Sequence, residues 1–242
     1  MNGSPGPNVL IDYASVGAAA AEHTHTAAQV GAIASTARGS AGGVASLDSS
    51  GKVPAAQLPD VWLPSDLGLK VWAFDPAVGS SSGVYPSSGS VRITSVVLHS
   101  SQTISKIVWH VFGYAGGLLS GSNAGIFDTS GRCLAQVGDM AGESKLPGVH
   151  NAGGATVAAP LTASVTLPPG IYYVAWWWRY TASPIDGPML LVADSSSPGP
   201  PGRFGLNNIV RYGVISSTPA FPNTLSFSAL TDGPNRFWCA LA

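Results

Sequence analysis

The chain has 242 residues, 45% of them hydrophobic and only 10% charged, with a formal net charge of −1. Charged residues usually make up about 25% of a globular domain, so Ser, Thr, Asn and the backbone must carry most of the solvation. The near-neutral balance and the lack of any basic run exclude an electrostatic footprint for nucleic acid or an anionic membrane. The longest apolar run, "IYYVAWWW" (171–178), is far shorter than the ~20 residues a membrane helix needs.

The first stretch, "MNGSPGPNVLIDY" (1–13), has neither the basic region nor the long apolar run of a secretory signal. Residues 14–57 are almost free of aromatics and rich in Ala, Gly, Ser and Thr. Side chains this small do not build a thick core alone. The segment is therefore expected to be disordered or to pack closely against copies of itself.

His23 and His25 stand out within it. In an extended chain residues i and i+2 face the same side, so the two imidazoles point together. Three chains meeting on a threefold axis would supply six nitrogen ligands in two layers of three. That octahedral set suits a first-row divalent ion such as iron, nickel or cobalt, whereas zinc more often takes four ligands. Thr24 and Thr26 would face the other way and favour extension. The competing reading is a pair of solvated surface histidines.

Further on, Asp48-Ser49-Ser50-Gly51 reads as a turn. The Asp side chain bonds its own downstream backbone and the Gly supplies positive φ. Val44, Leu47, Val53 and Leu58 flank the turn as apolar anchors that one chain gives little to pack on. A short helix is expected near Pro54–Leu58.

From residue 71 Trp, Tyr and Phe recur, and strands alternate with Gly/Pro/Ser turns. Strands are predicted at Val91–Ser100, Ile104–Tyr114, Ala124–Asp128, Cys133–Asp139, Thr162–Leu167, Ile171–Tyr180, Met189–Ala193, Asn208–Val214 and Phe237–Leu241. "TSG", "PPG" and "TDGPN" are turn signals between them. Many short strands at this spacing point to an all-β sandwich or barrel. "SPGPPG" (197–202) reads as an extended loop.

In "IYYVAWWWRY" (171–180) Val174, Trp176, Trp178 and Tyr180 share one face. Tyr173, Ala175, Trp177 and Arg179 share the other. Either both faces are buried, one in the core and one at a subunit axis, or Trp177 and Arg179 form a sugar platform that combines CH–π stacking with a guanidinium donor. The strand around Trp109 is apolar on both faces, so it should be central, with His110 satisfied in a core or interface. His99 and His150 lie in or near loops and are assigned no role.

No P-loop, GxGxxG, HExxH, GxSxG or CxxC motif occurs. Asp128, Asp139, Glu143, Asp186 and Asp232 show no spacing that marks a glycosidase pair or a calcium loop. No catalytic residue is expected, and the chain is read as a non-enzyme. Cys133 and Cys239 are the two cysteines. One disulfide is arithmetically possible, but reduced, isolated thiols are expected.

"HTHTAAQVGAIA" (23–34) resembles the HxH segment of bacteriophage tail fibres, where trimers bind iron on the axis. "GGVASLDSSGKVPAAQLP" (42–59) is similar to a linker of many phage tail-fibre and minor tail proteins, with the pattern G-V-A-x-L-D-x-x-G-K-V-P-x-x-Q-L-P. "LTASVTLPPGIYYVAWWWRY" (161–180) is similar to the penultimate strands of tail-tip head domains, in which an L-P-x-G-x-Y-Y turn precedes a long buried strand. The first two motifs stand in the family's usual order and cover roughly residues 14–60. Long fibres often carry several HxH pairs; a single pair implies a short fibre.

The resemblance implies a homotrimeric receptor-binding protein of a phage tail, assembled in the host cytoplasm and located in the virion. Residues 1–13 would attach to other tail proteins. Residues 14–70 would form a fibrous stalk and linker, pinned by one transition-metal ion per trimer, iron, on His23 and His25. Residues 71–242 would form an all-β, jelly-roll-like sandwich head that binds a host-surface glycan, with no nucleic-acid partner and no membrane insertion. The competing readings are a purely structural tail or baseplate component, the fibre of a tailocin or contractile injection system, and an enzyme that degrades surface polysaccharide.

Overall fold

A computed structural model describes residues 24–54, 57, 62–79, 83–113, 117–141, 154–183, 187–193, 202–204, 206–207, 209–233 and 235–242. The chain divides into two units, Met1–Val61 and Trp62–Ala242. Residues 1–13, His23, Glu143, His150, Asp186 and most of the helix expected near Pro54–Leu58 lie outside the described residues.

The described part of the first unit is a chain of local turns. After Ala34 comes a single 3-10 turn, Ser35–Ala37. A small loop then closes where Gly39 N–H donates to Val44 O and Val44 N–H donates to Ala37 O, 2.8 and 2.9 Å. Gly43 lies so close to the Ala37 carbonyl that a Cβ would collide with it, so glycine is required there. The turn expected at Asp48 is present. Asp48 Oδ1 accepts from Ser50 N–H and Lys52 N–H at 2.8 and 3.0 Å, and Gly51 has φ +75°. No residue of the described part of this unit is buried. Val30, Ile33 and Leu47 are 57%, 65% and 63% exposed.

The second unit is a two-sheet antiparallel sandwich. Its strands are β1 (Val71–Trp72), β2 (Val91–Leu98), β3 (Gln102–Gly113), β4 (Asn123–Phe127), β5 (Cys133–Gln136), β6 (Ala155–Leu167), β7 (Gly170–Trp177), β8 (Met189–Leu190), β9 (Arg203–Phe204), β10 (Ile209–Val210), β11 (Tyr212–Ile215) and β12 (Ala240–Leu241). One sheet has the order β1-β12-β3-β6, with β8 also paired to β3; the other has the order β11-β2-β7-β4-β5; β9 and β10 form a separate ribbon. β2 and β7 pair along their whole lengths, from Val91 opposite Trp177 to Leu98 opposite Gly170. β6 is an edge strand, which tolerates Pro160 because no ladder bond is needed from it on the open side.

Each strand expected from the sequence has a counterpart, with shorter ends at several, but β6 begins at Ala155, ahead of the expected Thr162, and the expected Asn208–Val214 strand is divided into β10 and β11. β1 and β9 were not expected: two residues each carry no periodicity, and only the partner strand defines them. The folded unit also begins at Trp62, ahead of the expected boundary at 71. Pro64–Leu67 forms a 3-10 turn ended by Gly68 at φ +71°. Leu69 is then buried with Phe74, Val108, Leu191, Trp238 and Ala240 on the outer face of the first sheet.

The main core lies between the sheets. Trp109 of β3 meets Trp176 of β7 and the following Trp178 in T-shaped contacts, 6.1 and 5.1 Å between ring centroids. The indole N–H groups of Trp109 and Trp176 are buried without a hydrogen-bond acceptor. Edge-to-face packing is the arrangement in which a positive ring edge meets a π face. The first sheet contains β3 as an inner strand, as its two apolar faces require. Cys133 and Cys239 are both free thiols, half-buried and buried, and burial raises the pKa of each.

Candidate functional site

In the first unit only His25 of the expected pair lies among the described residues, and it is exposed. The chain turns just beyond His25. Thr26 N–H donates to Gln29 Oε1 at 2.8 Å, and Gln29 N–H donates to Thr26 Oγ1 at 3.3 Å. This reciprocal pair is a capping box. It starts a tight turn in which Ala32 N–H reaches Ala27 O at 2.8 Å. Thr26 therefore caps the turn that follows it. The signal was present as T-x-x-Q in "TAAQ" (26–29). The donor set of an HxH pair suits a borderline divalent ion, and two imidazoles from one chain leave such an ion incomplete. Among the described residues no group of three or more His, Cys, Asp or Glu side chains comes together within one chain.

In the head the two faces of "IYYVAWWWRY" separate as the alternation predicts. Val174, Trp176, Trp178 and Tyr180 enter the core between the sheets. Tyr173, Ala175 and Trp177 face the other way and are buried too, under Leu225, Leu230, Phe221 and Phe227 of the same chain. Trp177 is 4% exposed. Its Nε1–H donates to Thr218 O at 3.1 Å, Gly121 lies beside its ring, and the Arg179 guanidinium carbon sits 5.8 Å from the ring centroid. Trp177 and Arg179 are thus brought together, but the indole has no open face for a sugar. The expected sugar platform is corrected to a packed cation–π pair. The second apolar face is likewise covered by the chain's own C-terminal loops, where a subunit axis was expected.

Among the described residues the aromatic that does face solvent is Trp62, 65% exposed. Sequence reading passed over it because it sits between strands, in "PDVWLPSD" (59–66), where no periodicity assigns a face. The next residue, Leu63, lines a groove of ≈ 500 Å³, with Pro64, Lys70, Val97, His99 and Gln102 among its walls.

Asp128, Asp139 and His110, also weighed for chemistry, are engaged in local contacts. Asp128 closes the β4–β5 hairpin. Asp139 accepts from Ser120 Oγ and from Gly121 and Ala141 N–H at 2.9, 3.1 and 2.9 Å. His110 lies edge-on to Phe112, 5.2 Å between centroids, and 3.5 Å from Thr156 Oγ1. Among the described residues no helix is long and apolar enough to cross a membrane. Comparison of the chain with protein-family models and with curated proteins finds no match.

Proposed function

We propose that this chain is the subunit of a homotrimeric phage tail fibre or tail-tip adhesin that recognises a host-surface glycan. The stalk of the trimer is held in register by one metal ion, iron, on the His23 and His25 imidazoles of three chains. The observation that carries this reading is the exposure of apolar side chains in the first unit. Val30, Ile33 and Leu47 alternate there with small residues, and a single chain buries none of them. Exposing such groups costs about 1.5–3 kcal/mol each relative to full burial. Small neighbours let copies of the chain approach closely enough to cover them.

Two further observations support it. The "HTHTAAQVGAIA" and "GGVASLDSSGKVPAAQLP" segments resemble phage tail-fibre motifs. In the head, β1–β7 and β12 run 1-12-3-6 and 2-7-4-5, the order of a jelly roll, a sandwich that lectin and capsid domains also use. Three weak glycan sites on one trimer gain avidity with no new contact.

Light scattering for mass, with elemental analysis of the same peak, tests the reading on wild type and on His23→Ala/His25→Ala. The expected result is a trimer with one transition-metal ion per three chains, lost in the double variant. A metal-free monomer overturns both parts. A metal-free trimer keeps the fibre and removes the metal.

A further inference from the structure

We propose that the groove between β1 and the free half of β2 is the saccharide site of the head, and that it takes an acidic sugar, one bearing a carboxylate or a phosphate. The inference rests on the adhesin reading and gives it a site and a ligand class.

The groove follows from the way two strands end. β1 is the outer strand of its sheet. β11 covers β2 from Val91 to Thr94, and Arg211 O takes the Ser95 N–H, so among the described residues Val96–Leu98 is an open edge. Two clefts, ≈ 500 and ≈ 380 Å³, lie between these edges and share Pro64, Val71, Val97 and His99. They form one continuous trough. Small-molecule sites usually measure ~300–1,000 Å³, so the trough has room for more than one sugar ring.

Its lining has the mixed character that a saccharide needs. Val71, Trp72 and Val97 form apolar wall, and Val97 is 44% exposed. Ser100 and Gln102 bring side-chain hydrogen-bonding groups. The backbone adds a donor. Ser95 N–H is taken by Arg211 O at 2.8 Å, and Val97, two residues on, turns its N–H to the same side, past the end of β11. Trp62, next in sequence to the rim residue Leu63, offers the exposed indole on which a sugar's C–H face can stack.

Charge sets the ligand class. Lys70, His99 and Arg236 line the two clefts, and among the described residues no Asp or Glu does. Lys70 and His99 are exposed side chains. The Lys70 ammonium and the Arg236 guanidinium are cationic, and such donors recognise carboxylate and phosphate oxygens through charge-assisted hydrogen bonds. A subunit interface is the competing use of such a surface. Interface cores are depleted in lysine, whereas Lys70 and the polar edge His99–Gln102 occupy the trough itself.

The test uses the full chain and three immobilised oligosaccharides: trigalacturonate, its neutral methyl ester, and a phosphomannan oligosaccharide. Wild type should bind at least one acidic surface, bind the neutral ester about tenfold more weakly or worse, and lose affinity as salt rises. Lys70→Glu and Trp62→Ala should each lower that affinity about tenfold, with unchanged mass in light scattering and an unchanged near-ultraviolet spectrum. Binding to the carboxylate or to the phosphate surface alone identifies the acid. Equal binding to the neutral ester, or binding that both variants retain, overturns this site and leaves the adhesin reading standing. Binding to none of the surfaces overturns the acidic-sugar site. Loss of the trimer in either variant reassigns the trough to a subunit interface and overturns it too. Failure of the wild type to trimerise is a failure of the adhesin reading itself.

Discussion

Asp128 shows how much one short side chain organises. Its Oδ1 accepts from Ser130 N–H, Ser130 Oγ and Arg132 N–H at 2.9, 2.6 and 3.0 Å, and its Oδ2 faces Arg132 Nε at 3.1 Å. The Ser130 hydroxyl, followed by the Arg132 groups, holds the carboxyl at about 2, below its ordinary 3.8. A carboxylate with a depressed folded pKa adds stability that is fully present above about pH 4 and is lost as the pH falls through about 2. The gap in unfolding free energy between wild type and Asp128→Ala should therefore be constant at neutral pH and close between pH 4 and pH 2 in acid denaturation. The same device appears in the first unit, where Asp48 accepts from the Lys52 and Ser50 N–H groups and those backbone bonds lower its pKa. Both turns are legible in sequence as D-x-S-G followed by a basic residue, because an Asx turn is closed by neighbours within four positions. Arg92 is the opposite case. It is 7% exposed, its Nε donates to Pro86 O at 2.6 Å, its Nη2 donates to Ser87 Oγ at 2.9 Å, and it lies over Phe237 at 5.2 Å. Nothing in "SVRITS" announces a buried guanidinium. Arg92→Lys, which cannot repeat this fork, should cost about 1–3 kcal/mol in chemical denaturation.

At the scale of elements, β7 carries the head. Its alternation separated the two faces correctly, since a strand places successive side chains on opposite sides whatever surrounds it. What each face meets was not legible. Trp177 is buried by Leu225, Phe227 and Leu230, residues about fifty positions away whose loops have no periodic signature. Packing is thus the role of Trp177. Trp177→Ala should lower unfolding free energy by about 3–5 kcal/mol in chemical denaturation at fixed protein concentration. Arg179→Ala, at an exposed position, should cost under about 1 kcal/mol. If instead Trp177→Ala leaves stability unchanged, the covering loops do not hold the ring.

The whole molecule joins two units of different physical kind. The head has a sandwich core with Trp109, Trp176 and Trp178 each within 1% of complete burial. The described part of the first unit has no buried residue at all. A fragment of residues 62–242 should therefore keep a cooperative melt and the near-ultraviolet signal of packed tryptophans. A fragment of residues 1–61 should show a cooperative melt only to the extent that it self-associates, read as a transition that moves with protein concentration.

The sequence by itself determined the division into a small-residue segment and an aromatic-rich head, the β class of the head, the two faces of its long strands and the Asp-closed turns. Each of these depends on composition or on neighbours within a few residues. Only the tertiary structure decided that Trp177 is covered and Trp62 is not, that Arg92 is buried beside Phe237, and that β1 and half of β2 leave a trough walled by Lys70, His99 and Arg236. Those outcomes depend on which distant segments end where. Pairing of strands far apart in the chain sets that, and no local pattern encodes it.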